Sequence, residues 1–267
     1  MKEMIKEVCG NVAGCLLPGA KRALASGGKE PRGAMEKLIS YSLIKKAARR
    51  GDEVDLRKHL TQYWKGDAGD SFYETFGDRF ETSFLGEHYS LVEALDAEIR
   101  DSEGKYHQLI EIGCGDGRVI NHLSEKFSDL DEFIGLDINA GIVKKNRQVY
   151  DVETLSFESG DASVLIKQKA KRGTVLLSYG GVMEYFLEAE LVEMFRYLKE
   201  QSPSLVALVE PLYDGFDPDT EMKSRSSGQE YSFSHNHRHL LESCGFEIKY
   251  RQLLESDFRW MMIVAEG

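Results

Sequence analysis

The chain has 267 residues, of which 42% are hydrophobic and 30% are charged, and its formal net charge is −11. This ordinary composition and length predict a globular protein with one large domain, or one domain with an extension. An acidic protein repels a phosphate backbone at long range, which disfavours a nucleic-acid substrate. No apolar run approaches the roughly 18 residues that a membrane-spanning helix needs, so we expect no transmembrane segment.

The charge is unevenly distributed along the chain. Residues 1–62 hold 13 Lys and Arg against 7 Asp and Glu, a net charge of +6, and the remaining residues hold 21 against 38, a net charge of −17. The basic run at residues 45–50 is interpreted first as the solvated end of a helix, where cations suit the helix dipole. Peripheral contact of this basic part with a membrane or another anionic partner is the alternative.

The four cysteines are Cys9, Cys15, Cys114 and Cys244, and they form no CxxC pair and no regular spacing. This pattern disfavours a zinc site and a disulfide framework, and it suits a reducing compartment. Residues 8–20 are the segment most similar to a signal-peptide core, but Asn11 and Pro18 interrupt it and the acidic residues Glu3 and Glu7 precede it. We therefore predict a cytoplasmic protein without a bound metal.

Residues 1–106 show helical spacing and no strand pattern. Apolar residues recur at helical intervals in 35–50, 52–64 and 88–100, and Asp52 is a suitable helix cap. Glycines and a proline between residues 27 and 33 mark a break after a first short helical stretch. We predict a helical extension, residues 1–106, that packs on or over the domain that follows it.

From about residue 107 onward, short apolar runs alternate with amphipathic stretches, which is typical of a parallel sheet covered by helices. A short connector at 255–257 joins the last two strands and predicts a hairpin. The predicted fold class is therefore α/β, with a seven-stranded, mostly parallel, doubly wound sheet and an antiparallel C-terminal edge hairpin in a domain of residues 107–267. The strands are predicted at 108–112, 133–136, 155–158, 175–178, 205–209, 246–253 and 260–265, and the helices at 118–127, 140–150, 188–200 and 236–244.

The segment 109–120, LIEIGCGDGRVI, places glycines between a strand and a helix, where backbone approaches a ligand closely. A dinucleotide-binding loop has glycines at its first, third and sixth positions, but the sixth position here is Arg118. The acidic residues Glu111 and Asp116 would repel a pyrophosphate, whereas they suit a ligand that carries an ammonium and a sulfonium group. The loop therefore indicates a sulfonium nucleoside rather than NAD.

Two further carboxylates follow predicted strands. Asp137 ends the second strand, 24 residues after Gly113, where ribose hydroxyls need an acceptor. Asp161 follows the third strand, where an adenine amino group can donate. Taken singly, each carboxylate is explained as well by a helix cap or a turn. Their joint placement at the carboxyl edge of the sheet favours a ligand site.

These motifs resemble those of class I S-adenosylmethionine-dependent methyltransferases. EIGCGDG is similar to the family's first motif, LDIN to its acidic second motif and SGDA to its third, and residues 178–181 stand at the position of its fourth-strand motif. The resemblance covers residues 107–267 and implies S-adenosylmethionine as the methyl donor, with S-adenosylhomocysteine as the product. The cofactor-binding residues that it implies are Glu111, Gly113, Cys114, Gly115 and Gly117 around the methionine moiety, Asp137 at the ribose, Ile138, Asp161 and Ala162 at the adenine, and Tyr179 near the transferred methyl group.

Three histidines alternate between residues 235 and 239, and a histidine titrates near neutrality, as a general base requires. We predict that His235 or His237 contacts the substrate and that the other histidine positions it. The competing interpretation is a surface or capping role, because alternate residues diverge where a helix begins.

Acidic residues follow the fifth predicted strand in a long polar loop that ends near residue 232. They suit a cationic or hydroxyl-rich substrate, and they suit a divalent ion less well because no second cluster completes a metal site. Glu184 and Tyr185, after the fourth strand, also lie near the expected position of the methyl group, and buried packing of Tyr185 and Phe186 is the equal alternative. The acidic residues of the loop are Glu210, Asp214, Asp217, Asp219 and Glu221.

Aromatic residues are frequent between residues 63 and 89. They are interpreted as a hydrophobic seam that fastens the helical extension to the sheet, or as a lid over cofactor and acceptor. We expect the acceptor to be a small or medium polar molecule, methylated at a hydroxyl of a sugar, glycan precursor or natural product rather than at an amine. An aminopropyltransferase and a non-catalytic nucleoside-binding scaffold are the alternative functions.

Overall fold

A seven-stranded sheet forms the centre of the protein, in a computed structural model that describes residues 2–66, 72, 77–213, 215–226, 231–255 and 258–267. The strands are β1 (Gln108–Ile112), β2 (Glu132–Asp137), β3 (Leu155–Ser159), β4 (Thr174–Tyr179), β5 (Ser204–Leu212), β6 (Arg225–Ser226), β7 (Phe233–Ser234), β8 (Glu247–Glu255) and β9 (Arg259–Glu266). The order in the sheet is β3-β2-β1-β4-β5-β9-β8, and β6 pairs with β7 separately.

Strands β1 to β5 pair in parallel, and β9 lies antiparallel between β5 and β8. The chain fills one side of β1 with β2 and β3, and then crosses to the other side with β4 and β5. The crevice at this reversal, beyond the carboxyl ends of β1 and β4, is where open α/β sheets bind ligands. The predicted fold class, including the antiparallel hairpin at one edge, is confirmed. The predicted bounds of β5 were wrong by three residues at its end, because the apolar run continues past a buried glutamate to Leu212.

The helices are α1 (Lys2–Leu16), α2 (Pro18–Ser26), α3 (Gly33–Arg50), α4 (Glu53–Lys65), α5 (Tyr89–Asp101), α6 (Arg118–Lys126), α7 (Ala140–Val149), α8 (Ala162–Lys169), α9 (Glu188–Glu200) and α10 (His237–Ser243), with a π-helical segment at Phe80–Glu87 and a 3-10 turn at Met183–Tyr185. The sequence did not predict α8, β6 or β7, because two helical turns or two strand residues are too short to establish a period. Across the described residues, no helix has both the length and the apolar character needed to cross a membrane.

Apolar side chains cover both faces of the sheet. In β1, Ile110 and Ile112 belong to the cluster on one face, and Leu109 belongs to the cluster on the other, as the alternation of side chains along a strand requires. Leu91 and Leu95 of α5 are buried in the second cluster. Helix α5 is therefore part of the core of the sheet although it precedes residue 107, and the predicted division of the chain at residue 106 stays a prediction.

Helices α3 and α4 form a smaller cluster of their own beside the sheet. Ile44, Leu56 and Leu60 are buried there together with Phe233 of β7. Asp52 caps α4, as predicted, because its side chain accepts a hydrogen bond from the amide of Asp55. The cluster fixes α4 next to the carboxyl edge of the sheet, where its side chains reach the candidate active site.

Candidate active site

The loop between β1 and α6 approaches its neighbours so closely that two of its glycines are required. Gly113 has a φ of +67°, and a Cβ there would lie 2.4 Å from a methyl carbon of Val182. Gly117 has a φ of +79°, and its Cβ would lie within 2.9 Å of the rings of Tyr150 and Phe157. Both positions exclude a side chain by conformation and by contact, so the loop keeps an open backbone at the edge of the sheet.

Asp137, at the end of β2, connects this loop to the next one. Its Oδ2 atom accepts a hydrogen bond from the Gly115 amide at 3.0 Å, and its Oδ1 atom accepts one from the Asn139 amide at 2.8 Å. Burial raises the pKa of Asp137, although these hydrogen bonds oppose the shift. Asp137 lines the cavity described below. Each carboxylate oxygen can accept more than one hydrogen bond, so the group retains capacity for a ligand hydroxyl.

Glu111 lies beneath the loop and is 2% exposed. Its Oε2 atom is buried without a hydrogen-bond partner among the described residues. Burial, and then the charges of Asp116 and Asp137, raise the pKa of Glu111 well above its usual value. The three carboxyl groups thus oppose one another's ionisation, and a cationic ligand beside the loop would favour their charged forms. The residues of the loop therefore fit a nucleoside that carries a sulfonium and an ammonium group.

Asp161, after β3, already has partners within the protein. It accepts hydrogen bonds from the amide and the hydroxyl of Ser163 at 3.0 and 2.8 Å and so caps α8. Its Oδ2 atom lies 3.1 Å from the guanidinium of Arg57 on α4, and Arg57 also contacts Glu190 at 3.0 Å. Gly160 and Ala162 line the cavity on either side of Asp161. Contact of Asp161 with adenine stays a prediction.

A cavity of about 760 Å³ opens along the carboxyl edge of the sheet. Five of the residues predicted to bind the cofactor line it, namely Gly113, Asp137, Ile138, Ala162 and Tyr179. Much of its remaining wall is aromatic, made by Tyr63, Trp64, Phe72, Tyr185, Phe186, Tyr213, Phe258 and Trp260.

The other five predicted cofactor residues, Glu111, Cys114, Gly115, Gly117 and Asp161, lie next to this cavity and do not line it. The Cys114 thiol is 5% exposed and packs where a Cβ at Gly135 would come within 2.9 Å of its sulfur. Cys114 therefore belongs to the packing beneath the loop, and its contact with a cofactor stays a prediction.

A buried carboxylate, Glu184, lines the cavity beyond the two glycines that follow β4. It is 7% exposed and lies on the 3-10 turn. Its Oε2 atom accepts hydrogen bonds from the Tyr213 hydroxyl at 2.6 Å and from the Ser232 hydroxyl at 2.5 Å. Tyr213 also lines the cavity, but Ser232 does not. The two hydrogen bonds hold the Glu184 carboxylate in place on the wall of a cavity that is otherwise largely aromatic.

Glu210 holds the turn on which Glu184 lies. It accepts hydrogen bonds from the Ser178 hydroxyl at 2.5 Å, the Met183 amide at 3.0 Å and the Val182 amide at 3.3 Å. Burial raises the pKa of Glu210 to about 7. The sequence assigned Glu210 to a polar loop after the fifth strand, and this was wrong, because the residue is fully buried within β5.

The other acidic residues of that loop mostly organise the loop itself. Asp217 accepts a hydrogen bond from the Asp219 amide, and Asp219 pairs with Arg251 on β8. Glu221 pairs with Arg225. Asp214 lies outside the described residues. Across the part of the chain that the structure describes, no three His, Cys, Asp or Glu side chains are grouped as metal ligands would be.

Tyr179, at the end of β4, has a buried histidine behind it. The Tyr179 hydroxyl lies 3.1 Å from the Nδ1 atom of His88. Burial, and then the charge of Arg79, lower the pKa of His88 to about 4, so the imidazole is neutral near neutral pH. Burial also raises the pKa of Tyr179. The pair therefore stays uncharged and fixes the tyrosine ring at the cavity wall.

His235 and His237, the predicted substrate contacts, are 1% and 2% exposed. His235 contacts the Ser224 hydroxyl at 2.5 Å through Nδ1, and His237 is the first residue of α10, which Asn236 caps. Burial lowers the pKa of His235 to about 4 and that of His237 well below its usual value. Neither histidine is among the described residues that line the cavity, so contact with the substrate stays a prediction without support from this geometry.

The aromatic residues between 63 and 89 divide between the two predicted roles. Trp64 lines the cavity and packs edge-on against Phe72 and Tyr185, at 5.5 Å between ring centroids in each case. Phe84 is 1% exposed and packs against Tyr179 at 5.1 Å. Trp64 and Phe72, early in the segment, therefore form part of the cavity wall, and Phe84, later in the segment, belongs to the hydrophobic seam. Tyr73 and Phe76 lie outside the described residues.

Sequence reasoning missed several residues of the site. Arg57 belongs to no motif, and the sequence placed it only on a predicted amphipathic helix. Tyr213 and Trp260 were assigned to a loop and to a strand, and no spacing linked either to the cavity. Asn139, which lines the cavity and caps α7, stands in the LDIN motif, where a cap signal was present.

Comparison with known proteins supports the interpretation of the sheet and of the loop between β1 and α6. Residues 109–201 match the family model described as a methyltransferase domain. A search of curated proteins gives no match.

Several solved structures share the fold at low sequence identity. A TehB-like SAM-dependent methyltransferase from Corynebacterium glutamicum has a TM-score of 0.52 and 14% identity, over 74% of this chain and 97% of that chain. The magnesium protoporphyrin IX methyltransferase from Synechocystis has a TM-score of 0.55 and 14% identity, over 79% and 98%. A SAM-dependent methyltransferase from Leishmania major has a TM-score of 0.55 and 11% identity, over 79% and 82%.

The strand order, the glycine loop after β1 and the matched residues 109–201 together define a methyltransferase domain. The fold and the loop are those of S-adenosylmethionine-dependent methyltransferases, as the motifs predicted, and they support S-adenosylmethionine as the methyl donor.

Proposed function

We propose that this enzyme methylates a hydroxyl oxygen of a small or medium acceptor with a largely apolar body. Of the predicted acceptors, a natural-product hydroxyl is favoured over a sugar or glycan precursor, because Trp64, Tyr185 and Trp260 contribute to an aromatic wall. Aromatic side chains supply large apolar contact area and bury few polar groups. The observation that carries the proposal is the Glu184 carboxylate on that wall.

For the donor, we propose that Asp137 accepts hydrogen bonds from the ribose hydroxyls and that Ile138 and Ala162 contact the adenine. Gly113 and the loop beneath it, with Glu111, would face the charged methionine end. The donor supplies an electrophilic methyl group when it is bound. The protein therefore has to align the acceptor oxygen and keep water out.

Glu184 is proposed as the general base for the acceptor hydroxyl. Its carboxylate takes the hydroxyl proton as the oxygen gains the methyl group, and it later releases this proton to solvent. Tyr213 and Ser232 donate hydrogen bonds to Glu184, so they orient the carboxylate. An uncharged amine acceptor has a free lone pair and needs no such base before attack, which favours a hydroxyl acceptor over an amine.

The test combines an acceptor panel with one substitution. Phenols and apolar alcohols, matched amines and free sugars are incubated with enzyme and donor, and mass spectrometry follows the gain of a methyl group. We expect methylation of a hydroxyl on an apolar acceptor. Glu184→Gln should lower kcat by about 10²-fold or more with the donor Kd nearly unchanged. Methylation only of amines, or an unchanged kcat for Glu184→Gln, would count against the proposal.

The cytoplasm remains the proposed compartment. The four cysteines, at positions 9, 15, 114 and 244, are all free thiols in the structure, which suits a reducing environment.

A further inference from the structure

Helix α1 presents a row of large apolar side chains to solvent. Met4, Ile5, Val8, Val12 and Leu16 are between 52% and 68% exposed. They recur every three or four residues, so they lie along one side of the helix. A contiguous exposed apolar row of this kind is typical of a surface that binds another protein or a membrane.

The opposite side of α1 is fixed against α3. A Cβ at Gly10 would lie 2.1 Å from the carbonyl oxygen of Leu38, so the two helices cross in close contact. Glu7 accepts a hydrogen bond from Arg49 at 2.8 Å and lies 3.3 Å from the ammonium of Lys45. These contacts prevent the apolar row from turning inward. Glu7 is the single carboxylate among the side chains of α1 that the structure describes, and α3 neutralises it.

The distribution of charge along the chain indicates which partner binds this apolar row. Residues 1–62 carry a net charge of +6 and the rest of the chain carries −17. An anionic surface attracts the first part and repels the second, which turns the α1 side of the molecule toward it. A second copy of the chain would instead bring two basic regions together. Arg22 and Lys46, both exposed, add to the basic region near α1.

We propose that α1 docks the protein on an anionic lipid surface. The helix lies in the plane of the interface, with its apolar row inserted at the boundary of headgroups and acyl chains. Helix α1 itself lies close to the active site, because Lys37 of α3 lines the cavity and its neighbour Leu38 lies against Gly10 of α1. This proposal concerns binding to lipid and does not depend on the acceptor proposed above.

The test is flotation of the full chain with vesicles of phosphatidylcholine and phosphatidylglycerol. The wild-type protein should float with these vesicles, and less so with pure phosphatidylcholine. The double variant Val8→Gln, Val12→Gln should bind at least about tenfold more weakly. The control is Val149→Gln, Val164→Gln, which changes two valines that are 70% and 53% exposed on the sheet domain and should float like the wild type.

Both double variants should melt like the wild type, because all four valines are exposed. Absence of wild-type flotation, or equal flotation of the α1 variant, would overturn the proposal. A vesicle-free wild-type dimer that the α1 variant dissociates would also overturn it, because the row would then belong to a contact between two copies. Gel filtration with light scattering measures that outcome.

Discussion

The guanidinium of Arg57 lies 3.1 Å from the Oδ2 atom of Asp161, and this ion pair joins helix α4 to the carboxyl end of strand β3. Arg57 is 8% exposed and also contacts Glu190 at the start of α9. Its guanidinium stacks on the ring of Phe186 at 4.6 Å. One side chain thus ties the N-terminal helices to two elements at the edge of the sheet that carries the active site.

We expect Arg57→Met to lower the free energy of unfolding by about 2 kcal/mol. Removal of the cation leaves Asp161 and Glu190 without their partner, and the cost falls below that of a fully buried pair because both carboxylates are partly exposed. For a chain of this size, that loss lowers Tm by roughly 4–8 °C. Methionine keeps an apolar contact with Phe186, so the change removes the charge of Arg57 together with its hydrogen bonds to Glu190, Asp161 and Thr61.

The matched control is Arg50→Met, which removes an exposed arginine that pairs with Asp55 at 2.8 Å. Exposed pairs contribute about 1 kcal/mol or less, so this variant should melt close to the wild type. Hydrogen exchange of residues 53–65 should increase in Arg57→Met alone. Equal melting of the two variants would refute the role assigned to Arg57.

The second prediction concerns the donor site. Asp137→Asn should weaken the binding of S-adenosylmethionine and S-adenosylhomocysteine by roughly 10- to 100-fold, because hydrogen bonds to a charged acceptor contribute about 1.5–3 kcal/mol. Titration calorimetry measures the two dissociation constants. Asp131→Asn is the control, since Asp131 lies just before β2 and its side chain is 77% exposed. A Kd within a factor of two of the wild type for Asp137→Asn would argue that the ribose is held elsewhere.

Asp161→Asn separates the two roles of Asp161. The residue caps α8 and pairs with Arg57, so the variant should melt at a lower temperature in either case. A parallel loss of donor affinity, absent in Arg57→Met, would support contact with adenine. A loss of stability alone would leave Asp161 as a structural residue.

The third prediction is a pH dependence of stability that arises from Glu210. Its pKa is about 7 in the folded protein against a usual value of 4.5. Below pH 4.5 the carboxyl is protonated in both states. Between pH 4.5 and about 7 the folded protein keeps a proton that the unfolded chain has lost, and above this range both states have lost it. The stability contributed by the protonated group therefore disappears as the pH rises through the folded pKa.

Glu210→Gln removes this titration. Its free energy of unfolding, relative to the wild type, should therefore rise by on the order of 2–3 kcal/mol between pH 5 and pH 8. Urea denaturation at several pH values measures the difference. Glu200→Gln, at an exposed position at the end of α9, should show a constant difference. A constant difference for Glu210→Gln as well would show that its carboxyl does not titrate in this range.

The sheet was predictable because each strand is a short apolar run that is local in sequence. The donor loop was predictable because its glycines and acidic residues lie within a few positions of one another. Of the wall proposed to face the acceptor, the sequence placed Glu184 and Tyr185 near the methyl group, but it did not predict the partners of Glu184. Glu184, Tyr213 and Ser232 come from three segments, and no periodicity connects them. Likewise, Arg57 and Asp161 are 104 residues apart.

The histidines are the opposite case, because the sequence pointed to residues that do not line the cavity. Residue type alone drew attention to His235 and His237, because a histidine can act as a base near neutral pH. Burial depends on how the whole chain packs, and it places both side chains away from the cavity lining. The carboxylate at Glu184 took their place in the proposed mechanism because the 3-10 turn after β4 carries it to the cavity.

Val182 contacts both halves of the site. Its side chain stands against Gly113 of the donor loop, and its amide donates a hydrogen bond to Glu210 beside the turn that carries Glu184. We therefore expect a shift of one loop to move the other. Donor and acceptor should then bind with a coupling free energy, and linkage requires that each changes the affinity of the other by the same factor.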